Sequence, residues 1–573
     1  MRNWARPLMA LACLAALAVP ARPAAGAPAD DGFAQIGAYL DRQVAETRAP
    51  GTAVAIVRGE QVVYQRTWGV DGDGEPVTGR TPFLLGSVAK PFTALAVMQL
   101  VEADRVALDA PIRRYLPWFR LADGTAATTI TVRQLLTHTS GLPDVAAKGL
   151  TDRFDNTADG LTRSVRDLAG IRPTAAPGRT HQYSDANYQI LGALVETVSG
   201  QPFGTYLRHN VLEPLDMRHA VTTEAEAEAV GLPAGHRHHF GRPQRFDPPY
   251  DTSGVPYGYL AASLDDLTHF TLAQLNDGRY GDTQLLSPDG VAQSHTGQVP
   301  VGSRGRYGLG WRDTVLTGTD TRIVWHAGAT PGYFSHVVLV PESDLAVVVL
   351  SNVYSLPMDP PLAATAFNLV RIMHGHAATT ATEEPLFTWT RIGLVAFAGL
   401  LLAGLVWTVF RTVRQRRSAT RHGRTAARDG IEPARGRIIA GTAGWLAGCA
   451  ALVAGALWGL PAALGGSGPA QVLLWALDIG QTLVAIAVLA TALALVRIVR
   501  TGYALAGSRP ADPPQRQDGQ DRGQQLQHGQ DRGQGCRATS PTAARVDGGD
   551  DADGRSHDGQ PWVRRPEPAA PAG

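Results

Sequence analysis

Three long apolar runs near the C-terminal end set the organisation of the chain. Residues 392–410, 438–460 and 472–496 carry almost no charge. At about 1.5 Å per helical residue, each run is long enough to cross a hydrocarbon core of about 30 Å. The connector 411–437 is rich in arginine, and such loops stay on the cytoplasmic side. The pattern therefore predicts three transmembrane helices, the first of which runs outward to inward.

The two ends of the chain differ from its middle. Residues 1–27 combine early arginines, a short apolar core and a small-residue end, which is typical of a signal peptide; a lipoprotein signal ending at Cys13 is the alternative. Residues 509–573 are rich in Gln, Gly, Asp, Arg and Pro, which predicts a disordered cytoplasmic tail. The chain is thus expected to be a multi-pass cell-membrane protein. Its segment 28–375 is outside the cytoplasm and joins the first helix through a linker, 376–391.

The exported segment mixes strand and helix patterns. Residues 52–69 form two β-rich runs joined at Gly59-Glu60, which is typical of a hairpin. Residues 321–328 and 335–352 predict three more strands. Helical patterns fill the middle, at 88–103, 131–137 and 186–199. Strands at both ends with helices between them predict an α+β fold, an antiparallel sheet flanked by helices plus a helical lobe.

Composition narrows the classes of function. The formal net charge is +1, which argues against nucleic acid as a partner. The three histidines in "GHRHHFGRP" (His236, His238 and His239) lack the partners of a metal site, so we expect a loop there and no metal or cofactor. His138 is expected to make a structural hydrogen bond at a helix end. Asp478, shallow in the third apolar run, is expected to reach the outer interface.

Ser87 and Lys90 carry the first chemical signal. Three residues apart at a helix start, they share one face, so the amine reaches the hydroxyl. Lysine is rare here, since Lys90 and Lys148 are the only two in the chain. A buried lysine, unlike arginine, loses its proton and then acts as a base for a serine nucleophile. Taken alone, the spacing also fits a lysine without a chemical role.

Two later motifs extend this pattern. "HQYSDANYQ" places Tyr183 before a helix, and "WHAGATPGY" ends a late strand with His326-Ala327-Gly328. In this order and spacing, the chain resembles the serine β-lactamase and penicillin-binding protein superfamily. It is most similar to the branch of class C β-lactamases, D-peptidases and esterases, and the resemblance covers about residues 32–375.

The resemblance implies a role for each matching residue. Ser87 would be the acylated nucleophile, Lys90 its base, and Tyr183 the group that relays a proton to the leaving group and activates water. The backbone N–H groups of Ser87 and Ala329 would form the oxyanion hole, and Gly328 would let substrate lie close to the strand.

Two positions depart from the superfamily pattern. Asp185 stands where an asparagine is usual, and an ionised carboxylate cannot donate a hydrogen bond to a substrate amide. His326 stands where a lysine is usual, which removes a fixed positive charge. Both changes fit an esterase or altered peptidase better than a strong β-lactamase.

The sequence therefore predicts a membrane-anchored serine hydrolase that acts through an acyl-enzyme on a small ester, D-amino-acid peptide or β-lactam. The alternative is a catalytically weak sensing or binding protein that signals through its membrane segments.

Overall fold

The computed structural model describes residues 30–144, 150–302, 305–421, 435–463 and 468–507. The predicted signal peptide, the predicted tail and part of the arginine-rich connector lie outside these residues. Fourteen strands are found in the part described: β1 Gly51–Arg58, β2 Gln61–Gly69, β3 Phe83–Leu84, β4 Gly235–His239, β5 Arg242–Phe246, β6 Ala261–Ala262, β7 Arg279–Tyr280, β8 Thr283–Gln284, β9 Val299–Val301, β10 Gly305–Tyr307, β11 Arg312–Val315, β12 Arg322–Thr330, β13 Tyr333–Val340 and β14 Leu345–Ser351.

The main sheet joins the two ends of the N-terminal part of the chain, residues 30–375. It has eight strands in the order β2-β1-β14-β13-β12-β11-β10-β9. Every neighbouring pair is antiparallel. The predicted hairpin of residues 52–69 is therefore confirmed as β1 and β2, and the predicted late strands are confirmed as β12, β13 and β14.

Helices cover the sheet and form the second lobe. Those described within residues 30–375 are α1 Asp30–Thr47, α2 Ala89–Glu102, α3 Gly124–Thr129, α4 Val132–Leu136, α5 Gly160–Asp167, α6 Asp185–Ser199, α7 Phe203–Leu207, α8 Glu224–Val230, α9 Leu264–Leu275, α10 Pro288–His295 and α11 Asp359–Met373. Side chains of α1 and α11 pack against one face of the sheet. The larger core lies on the opposite face, with α2, α6 and α9. The α+β prediction is confirmed.

The central strands explain why their sequences are apolar throughout. Every residue of β13 and β14 is buried, because helices cover both faces of the sheet at this position. Alternation of polar and apolar residues is expected only where one face meets water. Helix α2 is likewise buried on nearly all sides, which matches the apolar residues around its circumference.

The membrane segment consists of long helices, α12 Pro385–Arg421, α13 Arg435–Ala454 and α16 Leu477–Gly507, with short α14 Leu460–Ala463 and α15 Pro469–Trp475 between the last two. Within the described residues, three helical stretches are long and apolar enough to cross a membrane. The third apolar run is not one continuous helix from residue 472, because the backbone breaks at Ala476. Asp478 lies in the first turn after this break and pairs with Arg391 at 3.3 Å.

One local prediction is wrong. The histidines expected in a loop lie on β4, which forms a two-stranded hairpin with β5. His238 is buried and its Nε2 contacts the carbonyl oxygen of Thr47 at 3.1 Å. The segment folds into a hairpin because Phe240-Gly241 supplies a turn with two positive φ angles, 49° and 73°. No cluster of three metal-ligating side chains occurs among the residues described.

Candidate active site

Ser87 lies in a single 3₁₀ turn, Gly86–Val88, that leads directly into α2. The side chain is partly exposed, whereas its neighbours Gly86 and Val88 are buried. Gly86 has a φ of +52°, and a Cβ at this position would lie 2.3 Å from the backbone nitrogen of Ala329. The turn therefore needs glycine both for its conformation and for its close contact with β12.

Lys90 lies one helical turn further along and is completely buried. Its Nζ donates hydrogen bonds to Ser87 Oγ at 2.9 Å and to the carbonyl oxygen of Tyr257 at 2.9 Å. Nζ also lies 2.6 Å from Oδ1 of Asp185. The predicted amine–hydroxyl contact is present, and Asp185 faces this amine at the rim of the cleft.

Tyr183 immediately precedes α6 and is partly exposed. Lys90 Nζ lies 4.9 Å from the centre of its ring. Burial raises the pKa of the phenol well above its usual value, the charge of Asp185 raises it further, and a hydrogen bond with Ser87 opposes the increase. The phenol is therefore protonated at neutral pH, which suits a proton donor beside the serine.

His138 supports this group from behind. It is completely buried, and its ring centre lies 4.2 Å from that of Tyr183. Its Nδ1 accepts a hydrogen bond from the backbone N–H of Ser184 at 3.2 Å and contacts Asn187 Nδ2 at 3.0 Å. These contacts, just after the end of α4, fit the structural role expected for His138.

Strand β12 forms the opposite edge of the site. A Cβ at Gly328 would lie 2.0 Å from the carbonyl oxygen of Leu85 and 2.7 Å from the backbone nitrogen of Ser87. The strand is therefore in direct backbone contact with the serine turn. This contact brings the N–H groups of Ser87 and Ala329 to the same part of the cleft.

His326 points into the site from β12 and is almost completely buried. Its Nε2 contacts the hydroxyl of Tyr307 at 3.0 Å and its Nδ1 lies 2.7 Å from the carbonyl oxygen of Ala327. Burial, followed by the positive charges of Arg312 and Lys90, holds the pKa of His326 well below its usual value. The imidazole is thus neutral, and the positive charge lost with the usual lysine is not restored by protonation.

A cavity of about 460 Å³ is lined by Ser87, Tyr183, Asp185, His326 and Gly328. Ser87, Tyr183 and Asp185 lie on one side of it, and β12 with Arg312 on another. A third wall comes from the membrane segment. The cavity size is that of a small-molecule site.

Comparison with known proteins agrees with this geometry. The sequence model of the Beta-lactamase family matches residues 36–371. The chain belongs to the Beta-lactamase family. Among curated relatives it is 32% identical over 317 residues to "Penicillin-binding protein 4" of Amycolatopsis lactamdurans, covering 54% of this chain and 82% of that protein. It is 25% identical over 395 residues to "Protein flp" of Staphylococcus aureus strain MW2, covering 68% and 76%.

A solved structure is similar in fold. The octameric penicillin-binding protein homologue from Pyrococcus abyssi matches with a TM-score of 0.54 and 24% identity, over 61% of this chain and 79% of that one. This likeness agrees with the β-lactamase-like arrangement of sheet and helices described above.

Arg312 was not predicted from the sequence. In the part of the chain described, it is the arginine whose side chain lines the cleft. Its guanidinium lies over the rings of Tyr183, Tyr307 and Trp325, at 5.6, 5.7 and 5.3 Å. Among the described residues it forms no ion pair within 4.0 Å, in contrast to Arg322. Its only sequence signal is its place directly after "YGLGW", a stretch that itself resembles the family.

The contact between Gly328 and the serine turn leads to a first prediction. We expect Gly328→Ala to lower kcat/KM for ester hydrolysis by about tenfold to a hundredfold, because the added methyl group pushes β12 away from Ser87. Gly124→Ala is the matched control, since a Cβ there meets nothing within 4 Å. Steady-state kinetics of the two purified variants test this, and equal rates would contradict the proposed contact.

Proposed function

We propose that this protein is a membrane-anchored serine hydrolase that cleaves esters or amides through an acyl-enzyme on Ser87. The observation that carries the proposal is the contact of Lys90 Nζ with Ser87 Oγ at 2.9 Å in a buried position. A nucleophile paired with a base inside a cleft is the arrangement that covalent acyl transfer needs. Membership of the Beta-lactamase family supports the same class of reaction.

In the first half-reaction Ser87 Oγ attacks the acyl carbon and its proton passes to the neutral amine of Lys90. The N–H groups of Ser87 and Ala329 stabilise the oxyanion. Tyr183 gives its proton to the leaving group, which departs and leaves a tyrosinate.

In the second half-reaction the tyrosinate takes a proton from water, and the water oxygen attacks the acyl carbon. The Ser87 oxygen leaves and recovers a proton from the Lys90 ammonium. Both side chains return to their starting states, and the net reaction consumes one water. The raised pKa of Tyr183 favours this order, because a strongly basic tyrosinate is an effective acceptor for the proton of water.

Arg312 is proposed to bind an anionic group of the substrate. It lines the cleft with His326, whose neutral ring cannot supply this charge. A guanidinium pairs with a carboxylate through two parallel hydrogen bonds. Carboxylate-bearing acyl donors, such as β-lactams and peptides with a free C-terminus, therefore fit the cleft.

A second prediction tests this role. We expect Arg312→Gln to weaken acylation by benzylpenicillin about tenfold to a hundredfold, which corresponds to one lost charged hydrogen-bond pair. Acylation by the penicillin methyl ester, which has no free carboxylate, should change little. Arg306→Gln on β10 is the control, since Arg306 bonds only to backbone oxygens of Gly297 and Gln298 in the part described. A loss of equal size with both penicillins would contradict an anion site.

The membrane helices are proposed to anchor the catalytic domain outside the cytoplasm. Three helices have the length and composition of membrane spans. The arginine-rich connector between the first two favours a cytoplasmic position for that loop. With the predicted signal peptide, this supports a position of residues 28–375 on the outer side.

The decisive test locates the acyl group. The full chain in nanodiscs is incubated with benzylpenicillin or p-nitrophenyl acetate, quenched, digested and examined by mass spectrometry. The proposal predicts Ser87-dependent turnover of p-nitrophenyl acetate, with a penicilloyl or acetyl group on the peptide that contains Ser87 wherever deacylation is slow. Modification of other peptides alone, without turnover, would contradict it. A stable Ser87 adduct without turnover would favour the sensing function instead.

A further inference from the structure

The catalytic cleft is completed by the membrane segment. Besides Ser87 and Tyr183, its lining includes residues of α12, of α15 and of the break before α16: Phe387, Gln471, Val472, Trp475 and Ala476. Four of these five side chains are apolar. A wall of this kind is not needed to hold a small hydrophilic substrate, for which polar side chains would fix the orientation.

This wall is fixed to the catalytic domain by specific contacts. The ring of Trp475 packs edge-on against Tyr354, with centres 5.9 Å apart. Through Tyr354, the ring of Trp475 joins an apolar cluster that includes Ala327 and Ala329 of β12. Arg237 on β4 donates hydrogen bonds to the carbonyl oxygens of Leu473 and Leu474, at 3.1 and 3.3 Å.

An ion-pair cluster joins the membrane helices α12 and α16 close to the wall of the cleft. Arg391 of α12 pairs with Asp478 of α16 at 3.3 Å and with Glu383 at 3.1 Å. The backbone N–H of Glu384 donates to the carbonyl oxygen of Pro357 at 3.2 Å. The catalytic residues and the membrane helices also belong to the same compact unit of the chain. The wall is therefore a built part of the cleft.

The apolar wall continues into the outer surface of the membrane helices. Leu386 and Trp389 flank Phe387 on α12 and are 62% and 71% exposed. Residues of this type at a helix end are typical of the membrane interface. These exposed apolar side chains lie within one helical turn of Phe387, which lines the cleft. The opposite side of the cleft is polar, with Asp185 and Arg312.

We infer that this wall binds a hydrocarbon chain and that the enzyme acts on amphiphilic esters or amides taken from the membrane surface, an inference that rests on the proposed acyl-enzyme function. The scissile bond lies at Ser87 and the polar part of the substrate near Asp185 and Arg312. The hydrocarbon chain of the substrate extends along Val472 and Trp475. Each methylene group buried there strengthens binding by up to about fourfold.

The test compares short and long substrates on the full chain in nanodiscs. Chain length is varied on the acyl side with p-nitrophenyl acetate and octanoate, and on the alcohol side with ethyl and octyl acetate. We expect Trp475→Ala to lower kcat/KM for the long member of at least one pair by about tenfold or more, with the short member changed less than about twofold. Partition of long substrates into the bilayer affects wild type and variant equally and cancels in this ratio.

Two further variants make the result specific. Trp475→Leu keeps an apolar wall and should retain most of the preference for the long substrate. Trp458→Ala removes a tryptophan that is 60% exposed on the membrane segment and does not line the cleft, so it should change neither rate. A Trp475→Ala variant that affects short and long substrates equally, or neither, would overturn the inference while leaving the proposed hydrolase intact. If the wild-type protein shows no Ser87-dependent turnover of any substrate, the proposed function itself is overturned.

Discussion

Ser87→Ala is expected to reduce ester turnover by a factor on the order of 10⁴–10⁶ and to abolish the penicilloyl adduct. The hydroxyl oxygen is the atom that forms the acyl bond, so no other group of the site replaces it. The substitution removes one partly exposed oxygen and should leave the fold unchanged, because Ser87 Oγ is bonded to Lys90 rather than to the core. Lys90 retains its contacts with Tyr257 and Asp185.

The measurement is turnover of p-nitrophenyl acetate together with intact mass after exposure to benzylpenicillin. Ser343→Ala is the matched control, since Ser343 lies in the turn between β13 and β14 and does not line the cleft. Substrate binding should survive in the Ser87 variant, so KM effects stay small relative to the loss of kcat. An adduct that persists in Ser87→Ala would assign the nucleophile elsewhere.

Much of the fold follows from local pattern. The position of α2, the hairpin of β1 and β2 and the late strands were predicted because buried apolar runs and turn residues identify such elements locally. Ser87 and Lys90 were predicted for the same reason, since two side chains three positions apart at the start of a helix lie on the same face. Ala329 and Gly328 came from the resemblance, and their contact with the serine turn agrees with it.

Features that depend on distant parts of the chain were not predicted. Arg312 contacts aromatic rings that lie just before α6 and on β10 and β12, which no local sequence pattern brings together. The pairing of Asp185 with Lys90 joins α6 to α2, and the sequence had placed Asp185 only opposite the substrate. The contact of Trp475 with Tyr354 joins the membrane segment to the catalytic domain. In the sequence, a tryptophan near the start of the third apolar run indicates only a membrane interface.

Lys90→Arg should have the next largest effect, a fall in kcat by a factor on the order of 10²–10⁴ with little change in KM. Arginine keeps the positive charge and the capacity to pair with Asp185, but it does not release a proton in a protein. The variant therefore separates a base from a mere cation. A lysine that served only to pair with Asp185 would tolerate arginine at this position much better.

The buried position of Lys90 requires a control for folding. The larger guanidinium enters a completely buried site, where overpacking costs about 1–3 kcal/mol. The thermal unfolding midpoint of the full chain measures this cost separately from the rate. If the Lys90 variant unfolds near the wild-type temperature and turns over within about threefold of the wild-type rate, the base lies elsewhere. A folded variant that binds substrate yet acylates slowly is the result that a proton-accepting lysine predicts.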